Sequence, residues 1–129
     1  MHIKDGRDCE DNICRSYEVQ SGVSVIALSD GAGSYVNAGI GSKIAVKIAA
    51  DLLAQKFNLF YELDDDTASS YILREVTTAL RAEAERKSAE LESYSATLLL
   101  VAMHPDGRYL IFHVGDGAVI GFTDKCESI

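Results

Sequence analysis

The chain has 129 residues and a formal charge of −8, and its 47% apolar and 25% charged residues are the composition of one globular domain, not of a disordered segment. Acidity without clustered Lys and Arg excludes nucleic acid as a partner, because duplex binding needs basic side chains to neutralise phosphates. No apolar run approaches the roughly 20 residues of a membrane helix, and three cysteines without a CxxC pair point to neither a disulfide framework nor a zinc knuckle, so the expectation is a soluble, cytoplasmic protein with no membrane partner.

Ile13, Arg15, Tyr17 and Val19 alternate with Cys14, Ser16 and Glu18, and a Ser21-Gly22 turn leads into the apolar run Val23 to Leu28. This pattern predicts a β-hairpin. The second strand runs directly into Ser29-Asp30-Gly31-Ala32-Gly33-Ser34. From Ala38 the period changes: Ile44, Ile48 and Leu52, joined by Ala45, Ala49, Leu53 and Phe57, form one stripe on a helix of about five turns. After Asp64-Asp65-Asp66, either Asp66 or Thr67 is placed to cap a second helix with Ile72, Val76 and Leu80 on one face. The triple aspartate lacks the alternating ligands of a calcium loop and reads as structural.

Tyr94 to Met103 then reads as a buried strand, His104-Pro105-Asp106-Gly107 as a turn and Arg108 to Val114 as a returning strand. Ala118 to Phe122 follows Gly115-Asp116-Gly117 as a third strand of a meander. The order predicts an α+β chain of antiparallel sheet with helices packed on it.

Gly31-x-Gly33 after a strand invites a dinucleotide-binding reading, which fails because Val36 stands at the third glycine position, a second helix follows the first, and Asp30 would repel a pyrophosphate. Nucleophilic catalysis lacks a GxSxG elbow, and His104 and His113 read as structural. What remains is acidic. Glu10 and Asp11 precede the first strand and Asp30 follows the second, so in a hairpin they meet at one end, where converging carboxylates need a cation or a shared proton. Oxygen ligands of this kind suit Mg²⁺ or Mn²⁺. Asp30 therefore has two readings, a metal-binding turn or a plain strand-ending Asp-Gly turn, and Asp116 has the same two.

Cys9-Glu10-Asp11, Ala27-Leu28-Ser29-Asp30-Gly31-Ala32-Gly33-Ser34, Gly41-Ser42-Lys43-Ile44-Ala45, Ser95-Ala96-Thr97 and His113-Val114-Gly115-Asp116-Gly117 come in an order that resembles the metal-dependent protein phosphatases of type 2C, the PPM family. The resemblance implies a four-layer αββα sandwich of antiparallel sheets, of which residues 1–129 are a partial domain covering roughly the N-terminal half. It implies a two-metal centre of Mn²⁺ or Mg²⁺, with Glu10, Asp30 and the Gly31 carbonyl as metal ligands, Asp116 as a metal ligand at the position that in some members helps hold a third ion, and Asp11 holding metal-bound water. His2, Lys4 and Arg7 are weaker matches for phosphate contact, because Gly6 stands where the family often has an arginine. The implied activity is hydrolysis of phosphoserine or phosphothreonine in protein substrates by metal-bound hydroxide.

Family members continue with further strands, a helical pair and two more ligand aspartates that these residues do not match. That expectation leaves open a phosphatase inactive in this truncated form, a catalytically incompetent phosphatase-like binding module, and self-association through open sheet edges.

Overall fold

The computed structural model describes residues 7–9, 13–30, 37–94 and 96–114. Strands β1 (Arg7–Cys9), β2 (Ile13–Tyr17) and β3 (Ser24–Leu28) precede helices α1 (Ala38–Gln55), α2 (Phe57–Glu62) and α3 (Asp65–Arg86). A 3₁₀ turn at Leu91–Tyr94 leads to β4 (Leu98–Met103) and β5 (Tyr109–Val114). The five strands lie side by side in chain order, every pair antiparallel. The α+β expectation is met, with a helix layer on one sheet.

Alternation along the strands sorts the sheet into two unlike faces. Cys14, Val25, Ala27, Leu98, Leu100 and Ala102 are buried on the helix side. They join Ala45, Val46, Ala49 and Leu53 of α1 and Ile72 and Val76 of α3 in one core. Alanines at 45, 49, 50 and 54 leave α1 thin on its buried side, which lets it lie close against the sheet. Each fully buried Leu or Ile contributes about 2 kcal/mol of transfer free energy. On the opposite face Ile26, Leu28, Met103 and Tyr109 remain 47%, 40%, 57% and 47% exposed, so a second apolar layer fits there, as in a four-layer sandwich.

Several boundaries differ from the sequence reading for local reasons. The stripe ending at Phe57 is interrupted: α1 closes at Gln55, the Lys56 N–H donates to the Leu52 carbonyl at 3.0 Å, and Phe57 opens α2 while staying buried. The cap of α3 is Asp64, whose Oδ1 accepts from the Thr67 N–H at 2.7 Å, and Asp65 and Asp66 occupy the first turn, where negative charge suits the helix dipole. Residues 91–94 coil as a 3₁₀ turn before β4 begins at Leu98, so the predicted strand from Tyr94 is shorter.

Strand β1 was not anticipated, because three residues carry too little periodicity to register. Cys14 is disulfide-bonded, which the cysteine count did not suggest. The predicted strand Ala118 to Phe122 lies outside the described residues.

Candidate functional site

The strand registers place the ends of β1, β3 and β5 and the starts of β2 and β4 at one end of the sheet. Strand β1 ends at Cys9, opposite Cys14, and β2 begins at Ile13, which pairs with Leu28 at the end of β3. Leu28 in turn pairs with Leu99, and Leu98, the first residue of β4, pairs with Val114, the last of β5. In sequence, Glu10 comes one residue after β1, Asp30 two after β3 and Asp116 two after β5. The acidic residues singled out above thus follow strand ends that share one edge of the fold.

Asp30 is the one metal-ligand candidate among the described residues. Its backbone is held by Thr97, the residue just before β4. The Thr97 N–H donates to the Asp30 carbonyl at 2.9 Å, while the Asp30 N–H donates to Thr97 Oγ1 at 3.0 Å. The Thr97 carbonyl, which a regular ladder would have offered to that N–H, accepts instead from the Ser29 hydroxyl. Two hydroxyls therefore stand in for one ladder bond where the chain leaves the sheet.

Ser29 is buried and its hydroxyl is committed to this contact, which disposes of it as a nucleophile. Asp30 itself is exposed. Among the described residues no hydrogen bond or ion pair engages that carboxylate.

Asp30 and Asn37 are both tied to the same stretch of chain. Asp30 is tied to Thr97, and Asn37 is tied to Ser93 through its N–H to the Ser93 carbonyl at 3.2 Å and its Nδ2 to Ser93 Oγ at 3.0 Å. Gly41 explains how α1 comes so near. A Cβ there would lie 2.1 Å from the Tyr94 carbonyl oxygen, so only glycine permits this approach of helix and 3₁₀ turn.

The remaining candidates divide simply. Glu10, Asp11, Gly31, Asp116, His2 and Lys4 lie outside the described residues, and Arg7 opens β1 opposite Ser16. Among the described residues no group of three or more His, Cys, Asp or Glu comes together to hold a metal. His104 is structural, as expected: its Nδ1 accepts from the Asp106 N–H at 3.2 Å and its ring lies 5.4 Å from that of Phe57.

An apolar recess of about 350 Å³ between α1, α3 and the start of β4, lined by Leu73, Val76, Leu80 and Tyr94 among others, offers no charge for a phosphate. No helix among the described residues is long and apolar enough to cross a membrane. Thr97 is the residue to which the sequence reading assigned no role. The available signal was a hydroxyl residue just before a strand, in a motif already noted.

Comparison with known proteins places the chain in a family. The chain is 34% identical over 96 residues to "Serine/threonine-protein phosphatase 3" of Escherichia coli (strain K12). The matched residues are 74% of this chain and 37% of that protein, so the chain spans little more than a third of its relative's length. No solved structure gives a significant match. The family model "Protein phosphatase 2C" matches residues 1–127, and the chain belongs to that family.

Proposed function

We propose that this chain contributes to a metal-dependent serine/threonine protein phosphatase, acting on phosphoserine or phosphothreonine in protein substrates with Mn²⁺ or Mg²⁺. The observation that carries the reading is the shared edge: β1, β3 and β5 all end where β2 and β4 begin, and Glu10, Asp30 and Asp116 follow those ends. An exposed carboxylate at Asp30, with no partner among the described residues, fits an oxygen-ligand site for a hard divalent ion.

Glu10, Asp30, the Gly31 carbonyl and Asp116 would hold the ions, and Asp11 would orient water. His2, Lys4 and Arg7 would contact phosphate, since cationic donors match its charge. When bound, such ions lower the pKa of water and neutralise charge on the phosphoryl group. The backbone bonds between Asp30 and Thr97 keep one ligand in place before any ion arrives.

Hydrolysis of p-nitrophenyl phosphate by the chain, with and without Mn²⁺, tests the proposal. Mn²⁺-dependent turnover that Asp30→Asn abolishes is the expected result. Mn²⁺ binding without turnover would instead favour a phosphatase-like binding module, and turnover indifferent to Mn²⁺ would overturn the reading.

A further inference from the structure

We propose that Thr97 is a positioning residue for the Asp30 carboxylate, its hydroxyl fixing the point at which the chain leaves the sheet so that Asp30 presents its oxygens to a divalent cation. The inference rests on the reading of Asp30 as a metal ligand and adds a role that the ligand set alone does not contain. Beyond the last ladder pair, Leu28 with Leu99, Ser29 and Asp30 continue opposite Leu98 and Thr97. A regular antiparallel pair would exchange two N–H to carbonyl bonds at Asp30 and Thr97. One is present, from the Thr97 N–H to the Asp30 carbonyl at 2.9 Å. The other is replaced: the Asp30 N–H donates to Thr97 Oγ1 at 3.0 Å, and the Thr97 carbonyl is taken by the Ser29 hydroxyl.

A side-chain acceptor sits away from the ladder line, so the Asp30 peptide is held in an orientation that a carbonyl acceptor would not give. The Thr97 N–H and hydroxyl both act on the backbone of Asp30 and leave its carboxylate unengaged. This division of labour suits a ligand that must be aimed but not neutralised. Partners that orient a ligand without touching the metal matter nearly as much as the ligands themselves.

Because Asp30 is exposed, water can accept from its N–H if Thr97 Oγ1 is removed, so the loss falls on position more than on stability. Thr97→Val keeps the shape and deletes the acceptor, whereas Thr97→Ser keeps the acceptor. Mn²⁺ affinity by calorimetry is expected to fall about tenfold in Thr97→Val and to stay within about twofold in Thr97→Ser. Exchange of the Asp30 amide, followed by NMR without metal, is expected to accelerate in Thr97→Val alone, with the melting temperature nearly unchanged.

Wild-type Mn²⁺ affinity in Thr97→Val, alongside weakened affinity in Asp30→Asn, overturns the positioning role and spares the ligand reading. Unchanged affinity in Asp30→Asn overturns both. Should Thr97→Val fail to fold, Ser29→Ala loosens the same junction from the neighbouring strand. Reduced Mn²⁺ affinity there supports the role, and unchanged affinity overturns it.

Discussion

The two ends of the sheet each carry an Asp-Gly pair, Asp30-Gly31 and Asp106-Gly107, and they are built differently. At Asp106 the carboxylate is fully used: Oδ1 accepts from the Arg108 N–H at 3.0 Å and Oδ2 from Arg108 Nε at 2.8 Å. The Arg108 guanidinium is itself fixed, 5.3 Å and 4.9 Å over the rings of Phe57 and Tyr61 and bonded to Asn58 at 3.0 Å. Gly107 takes φ +99 to complete the turn. At Asp30 the backbone is fixed and the carboxylate is not. An aspartate satisfied by its neighbours closes a turn, whereas one anchored by its backbone alone keeps its oxygens for something else.

The sharpest way to disturb the Asp30 end without touching it is Gly41→Ala. The added methyl meets the Tyr94 carbonyl and must push α1 away from the chain that leads to Thr97, at a cost of about 2 kcal/mol or more in chemical denaturation. A wild-type unfolding midpoint would show that α1 has room to shift. At the other end, Asp106→Asn weakens the bonds to Arg108 and is expected to lower the melting temperature by a few degrees while leaving Mn²⁺ affinity alone.

Much of the fold was legible in the sequence, and the gaps have physical causes. Alternation along β2 and β3 and the stripe on α1 announce one buried face each, because a core enforces period. The break at Lys56 does not show, since Phe57 keeps the helical spacing across it and is still buried. The two Asp-Gly pairs look alike as dipeptides. What separates them is Arg108 against one and Thr97, 67 residues away, against the other, and only strand register brings that second pair together.

Acid should also weaken the Asp106 turn and the start of α3. The Arg108 N–H, followed by its guanidinium, holds the Asp106 carboxyl below the usual 3.8, and the Thr67 N–H does the same for Asp64. Both groups have a folded-state pKa lower than the unfolded one. Their stabilisation is present above the unfolded value and is lost as pH falls through it to the lowered one. Thermal midpoints measured downward from pH 5 should drop, and drop less in Asp106→Asn. The smallest effect expected is that of Asp64→Ala, a loss of a few degrees in melting temperature as the Thr67 N–H at the start of α3 loses its acceptor.

The most direct test of the contrast is a Mn²⁺ titration by calorimetry of the unaltered chain beside Asp30→Asn and Asp106→Asn. Binding lost in Asp30→Asn and retained in Asp106→Asn is the expected result. Equal affinity in the unaltered chain and Asp30→Asn would contradict the assignment of Asp30 as the aspartate kept for a metal.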